Sequence, residues 1–326
     1  MPNAAVKACA NCLVFTPEMA FHYGNTPYME RLVKPDSEFL AALPGQAQSY
    51  EEAARYAPNL IFIGALSPEE PGGRPRNRLE HLEPAPVRDG SFGELMPEDE
   101  FLGLMDICDV FDLVWLTEDF AGQVRDRLEN RNFWTAEQLA RLEKGRPLAE
   151  IEAEIRNNKA LPLYFQGRAA GCCRRGHETD ENLSAHVLLE NIASKATSVL
   201  ALQHLLRNAG LAPEDLDFVV ECSEEAVGDM NQRGGGNLAK AVAETAGGRN
   251  ASGFDVRAFC AGPVAALIAS AALVASGVYR NVAVVAGGAV PKLYMNAREH
   301  VKKGLPALEN CLGAMAVLLT PEDGEN

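Results

Sequence analysis

Between Gly262 and Gly277 runs Pro263-Val-Ala-Ala-Leu-Ile-Ala-Ser-Ala-Ala-Leu-Val-Ala-Ser276, a helix-length stretch of small and branched apolar residues without a charge. A helix that is apolar on all sides must be covered on all sides. The stretch falls short of the roughly 20 residues that span a bilayer, and it is rich in Ala, Gly and Ser, so burial inside protein is the expected fate. Pro263 suits a first turn, where its missing N–H costs nothing, and Gly277 suits a left-handed exit. Before it stands Cys260, preceded by Ser252 to Phe259, which alternates and then turns apolar as a strand does. A cysteine at a strand-to-helix junction lies beside unpaired N–H groups and the positive end of the helix dipole. That setting favours thiolate over thiol and supplies donors for a developing oxyanion. Cys260 is therefore the candidate nucleophile.

The 326 residues carry a net charge of −15 with 47% hydrophobic and 23% charged residues. Such an acidic balance argues against nucleic acid or an anionic membrane as the main partner. The opening Met1 to Cys12 is too short and polar for an export signal. The eight cysteines are accordingly expected as reduced thiols in a cytoplasmic protein.

Along the chain, residues 6–15 read as a first strand. Residues 16–160 are richer in proline and charge and read as an insertion. It holds a short strand at Asn59–Gly64 and helices at Glu98–Cys108, Glu118–Glu129, Thr135–Lys144 and Leu148–Asn157. From 161 the pattern tightens. A hairpin turns at Gln166-Gly167, a helix runs from Asn182 to Asn208 and stops at Gly210, and a strand follows at Leu216–Cys222. Next come a helix at Asn237–Ala246, the strand and helix around Cys260, and strands at Asn281–Gly287 and Leu312–Leu319. Helices alternating with mostly apolar strands predict an α/β fold with a central mixed β-sheet flanked by helices.

Other candidates are weaker. Gly234, Gly235 and Gly236 before a helix could cradle an anion, but lack the lysine and serine of a phosphate loop. With Asp229, Asn231 and Arg233 they form a polar loop suited to substrate or partner contact. The histidines offer no clear base for Cys260; His300, in the basic loop Arg298 to Lys303, is the one worth a test and joins these residues as a candidate for substrate or partner contact. Cys9-x-x-Cys12 and Cys172-Cys173-x-x-x-His177 lack a second pair of zinc spacing, and strand neighbours diverge, so no metal is expected. No cofactor is called for.

Phe254-Asp-Val-Arg-Ala-Phe-Cys-Ala-Gly262, the apolar helix and Asn281-Val-Ala-Val-Val-Ala-Gly-Gly288 resemble the nucleophile region of thiolase-fold condensing enzymes. Asn310-Cys-Leu-Gly-Ala-Met-Ala-Val-Leu-Leu319 resembles the strand that follows in the ketoacyl-synthase III type. Cys222-Ser-Glu-Glu-Ala-Val-Gly-Asp-Met-Asn-Gln-Arg-Gly-Gly-Gly-Asn237, Met96 to Met105, Phe15 to Met19 and Asn182 to His186 resemble the β subunit of component C of glycine/sarcosine/betaine reductase. The resemblance implies a thiolase-like N-terminal half in three parts: a first core strand at 1–15, a family-specific α-rich insertion at 16–160, and the rest of the half, with the nucleophile, at 161–326. It also implies that Cys260 holds an acetyl group as a thioester. A selenoprotein A would deliver the two-carbon unit, and a phosphotransacetylase-like α subunit would pass the acetyl group to phosphate. The alternatives are a ketoacyl-synthase-III-like acyltransferase using acyl-CoA and a non-catalytic scaffold subunit.

Family chains continue through a second thiolase half that supplies further catalytic partners. Without that half the helix after Cys260 would lose cover, at about 1.5–3 kcal/mol for each large aliphatic left in water. The expectation is a homo-oligomer, or association with a separate C-terminal-half subunit.

Overall fold

The computed structural model describes residues 3–69, 82–142, 144–223 and 237–324. The strands are β1 (Ala4–Phe15), β2 (Leu95–Met96), β3 (Val114–Leu116), β4 (Ala160–Phe165), β5 (Arg168–Arg174), β6 (Phe218–Glu221), β7 (Ser252–Asp255), β8 (Val282–Ala286) and β9 (Cys311–Pro321). Six of them form the main sheet in the order β2-β1-β9-β8-β6-β7. β6 pairs in parallel with β7 and β8, whereas β9 runs antiparallel to both β1 and β8. The sheet is mixed, as the sequence predicts.

The helices before the sheet resumes are α1 (Pro17–Tyr23), α2 (Asn25–Val33), α3 (Glu38–Ala42), α4 (Tyr50–Ala53), α5 (Ala57–Phe62), α6 (Glu98–Cys108), α7 (Glu118–Asn130), α8 (Ala136–Leu139) and α9 (Leu148–Arg156). Those woven through it are α10 (Ala185–Ala209), α11 (Leu238–Thr245), α12 (Gly262–Ala275) and α13 (Ala297–Lys302). Alternate residues of the central strands enter opposite layers, as the period of a strand requires. Val219, Ala283 and Val285 join the core under α10 and α11. Phe218, Val220, Val282 and Val284 pack with Ala266 and Val274 of α12. Strands covered on both faces read as unbroken apolar runs, which is why β6 and β8 stand out in the sequence.

β4 and β5 form the expected hairpin, and β5 also pairs with β3, so the three make a sheet of their own. Within residues 16–160 polar groups pin the helices together. Glu94, wholly buried, receives Arg88, Arg131 and, at 3.2 Å, His204 of α10. Burial works against its charge, but His204, Arg88 and Arg131 prevail and hold its pKa down at about 2. The Glu98 carboxylate accepts from the Met19 N–H at 3.0 Å, at the start of α1.

Three elements differ from the sequence reading. Asn59–Gly64 is not a strand but lies in α5 and the turn after it. Pro58 fixes the first turn, and Leu60 and Ile63, three apart on one helix face, pack beside Leu13 and Phe15 of β1. The helix expected at Thr135–Lys144 shortens to α8, opened by a capping box between Thr135 and Gln138. The strand before Cys260 ends at Asp255, because the Asp255 carboxylate turns aside to accept the Leu238 and Ala239 N–H groups at the start of α11.

Candidate active site at the carboxyl ends of the central strands

β6, β7 and β8 run in parallel and release their following loops at one edge of the sheet, where open α/β folds place their ligands. Hydrogen bonds tie these loops to one another. The Ser223 hydroxyl, after β6, accepts the Gly287 N–H at 2.7 Å, and the Thr197 hydroxyl of α10 accepts the Gly288 N–H at 2.9 Å. Gly287 must be glycine, since a Cβ there would stand 2.1 Å from the Ser194 carbonyl oxygen.

Glu221 closes β6 and is wholly buried. Arg257 reaches one of its oxygens at 2.6 Å, and the Ser223 N–H donates to the other at 2.7 Å. Burial raises the Glu221 pKa, with Arg257 and Ser223 pulling the other way. A carboxylate in so dry a place needs such partners. The Val256 N–H donates to the Glu221 carbonyl at 2.7 Å, so the chain leaving β7 is held to β6 as it approaches Cys260.

There the backbone turns sharply. Phe259 has φ of 47°, the left-handed region that a bulky L-residue rarely adopts, and its ring is 81% exposed. Such strain persists only where the surroundings enforce it, and it recurs at functional sites. Phe259–Ala261 makes one 3₁₀ turn that runs straight into α12, with Pro263 in the first helical turn. Gly262 is buried, and a Cβ there would meet the Cys222 carbonyl oxygen at 3.2 Å, so the helix start sits tight on the end of β6.

Cys260 is exposed at this junction, whereas Cys12, Cys108, Cys172, Cys173 and Cys222 are buried and Cys9 and Cys311 half-buried. Burial pushes the Cys108, Cys172 and Cys222 thiols up to about 12 and raises those of Cys12 and Cys173 as well. At the same sheet edge the exit of β8 and entry to β9 open a cleft of about 250 Å³, bordered by Gly288, Lys292, Glu309 and Cys311.

Of the other candidates, Asp229, Asn231, Arg233, Gly234, Gly235 and Gly236 lie outside the described residues. His300 is not in a loop but on α13, which packs against α2 and α3; the ring is half-buried, and its Nδ1 has no hydrogen-bond partner among the described residues. The Glu221–Arg257 pair escaped the sequence reading. A charged residue closing the apolar run Phe218-Val-Val was the available signal, because a buried carboxylate demands a cation.

Residues 254–326 match the 3-oxoacyl-[acyl-carrier-protein (ACP)] synthase III family. Nearly the whole chain is similar to the glycine/sarcosine/betaine reductase complex component C subunit β of Peptoclostridium acidaminophilum. Identity is 46% over 323 residues, covering 98% of this chain and 63% of that one. The chain is thus similar, over nearly all of its length, to a component C β subunit. It spans 63% of that relative's length. A β-ketoacyl-[acyl-carrier-protein] synthase III of Streptococcus thermophilus is 35% identical over 105 residues, which are 32% of this chain and 31% of that one. The solved priming β-ketosynthase of the R1128 polyketide pathway covers 40% of this chain and 36% of its own at 28% identity, with a TM-score of 0.30.

The nucleophile candidate is the exposed thiol at the head of α12. Pro263 has no N–H and the Ala261 and Gly262 N–H groups donate to the Ala258 and Phe259 carbonyls, so what the helix start offers the thiol is chiefly the positive end of its dipole. The outer side of α12 is bare: Val264 is 60% and Ile268 66% exposed. Among the described residues no helix is long and apolar enough to cross a membrane.

Proposed function

We propose that this chain is an acyl-transfer subunit of a glycine, sarcosine or betaine reductase complex, and that Cys260 carries the acetyl group. The Cys260 thiolate attacks an acetyl carbonyl carbon, a C–S bond forms, and the group that carried the acetyl leaves. A phosphate oxygen then attacks the thioester, the C–S bond breaks, and acetyl phosphate departs with the thiolate restored. Splitting one transfer into two steps through a thioester keeps the acyl group activated between them. The positive end of the α12 dipole and the Cys260 N–H beside it are suited to stabilise the oxyanion of each step. The observation that carries this reading is the exposure of Cys260 at the start of α12, joined to 46% identity with a component C β subunit.

In this reading a phosphotransacetylase-like α subunit catalyses the phosphate step, and a selenoprotein A delivers the two-carbon unit. The bare side of α12 is covered by a second half, present on a separate subunit or supplied by self-association. A second reading, favoured by the family match over 254–326, is an acyltransferase that takes its acyl group from coenzyme A.

The test is intact-mass measurement after exposure to acetyl phosphate with the α subunit present, in wild type and Cys260→Ala. A gain of about 42 Da, the mass of one acetyl thioester, in wild type alone supports the proposal. A gain from acetyl-CoA but not from acetyl phosphate selects the second reading. No gain from either leaves a scaffold role.

A further inference from the structure

On the other face of the sheet, where α6 ends against α10 and α11, lies a cavity of about 200 Å³ that the acyl-transfer reading does not use. Its walls include Leu188, Asn191 and Ile192 of α10, Asn237 just before α11, Leu238 and Ala241 of α11, and Phe111 from the loop after α6. Phe111 is 58% exposed and stands at the rim. Into this mostly apolar lining comes one ammonium group, that of Lys195, a residue 8% exposed in the middle of α10.

The Lys195 Nζ donates to the Cys108 carbonyl oxygen at 2.6 Å, at the last turn of α6. A cation at a helix carboxyl end is stabilising there, and that contact occupies one of three N–H donors. Asp109, the nearby carboxylate on the wall, is already spent on backbone. It accepts from the Phe111 N–H at 2.9 Å and the Val114 N–H at 2.8 Å, and also from the Leu113 N–H. Among the described residues the ammonium group makes this one hydrogen bond, and the remaining walls of the cavity are largely apolar. Buried polar groups without partners are costly, and small-molecule sites combine an apolar lining with a few placed polar groups.

We infer that this cavity binds a small organic carboxylate, its apolar tail among Leu188, Ile192, Leu238 and Ala241 and its carboxylate on Lys195. The volume falls below the ~300 Å³ of usual drug-sized sites, so the occupant is compact. Burial lowers the Lys195 pKa, and neighbouring charge on Asp109 opposes this in part; a bound carboxylate would favour the charged ammonium further.

The probe is 3-phenylpropanoate, compared with the neutral 3-phenylpropanamide, titrated into the full chain by calorimetry. The acid is expected to bind at least about tenfold more tightly than the amide, because only the acid forms a charge-assisted bond. Lys195→Met should erase that preference. Ala241→Trp, at a half-buried helix position on the wall, should abolish binding of both while leaving the fold intact, and it stands as the test if Lys195→Met does not fold. Equal binding of acid and amide, binding unchanged in Ala241→Trp, or no binding of the acid would each overturn the inference.

Discussion

Arg257 holds Glu221 across 36 residues of sequence, its guanidinium 2.6 Å from a carboxylate that is wholly buried. The pair fastens the segment before Cys260 to the end of β6. Removing Arg257 strands a buried charge, for which the typical penalty is about 3–5 kcal/mol. Arg257→Met is expected to lower unfolding free energy in urea by an amount near the bottom of that range, since the guanidinium is partly exposed. Glu221→Gln combined with Arg257→Met should recover much of the loss. Additive losses in the double variant would show that the two residues are not coupled.

Exposure separates Cys260 from the seven other thiols. With limiting iodoacetamide, Cys260 is expected to be labelled first, ahead of the buried Cys108, Cys172 and Cys222 by orders of magnitude, because those thiols are both inaccessible and shifted upward. Peptide mass spectrometry of partially labelled protein reads the order directly. Early labelling of a buried thiol would contradict the described packing.

Glu98 gives the molecule a pH signature. Burial raises its pKa from 4.5 to about 8, against the pull of the Met19 and Glu18 N–H groups. A folded value above the unfolded one means that this stabilisation is complete below the unfolded pKa. It is lost as pH rises through the folded value. Between about pH 6 and about pH 9 the loss should be on the order of 2–3 kcal/mol. Urea midpoints should fall over that window in wild type and stay flatter in Glu98→Gln. Parallel curves for both proteins would contradict the assignment.

In the proposed reading the outer face of α12 is where the chain associates, with itself or with a second-half subunit. Val264→Glu with Ile268→Glu alters two residues that are 60% and 66% exposed, so stability of the chain itself should change by no more than ~0.5 kcal/mol per site. Self-association at micromolar concentration, read by sedimentation velocity, should disappear. A wild type that neither self-associates nor binds a second-half subunit, or a double variant that associates as before, would count against this face.

Much of the core was legible because its signals are local. The apolar run closed by Gly-Pro and Gly277 marks α12, the unbroken valines mark β6 and β8, and Gly210 marks the end of α10. What the sequence withheld depends on distant partners. Asn59–Gly64 has a strand's composition, yet its helix is decided by Pro58 and by β1. β3 is three residues long and exists because β5 pairs with it. Glu221 and Arg257 meet only once β6 and β7 lie side by side. Phe259 could not be read as strained, since its left-handed turn comes from the anchoring of the backbone on either side.

The most direct test is to locate the acetyl group. After incubation with acetyl phosphate and the α subunit, proteolysis at mildly acidic pH and tandem mass spectrometry should find acetyl on the peptide containing Cys260, removable by neutral hydroxylamine as a thioester is. Acetyl on any other residue, or an adduct that survives hydroxylamine, would contradict Cys260 as the carrier.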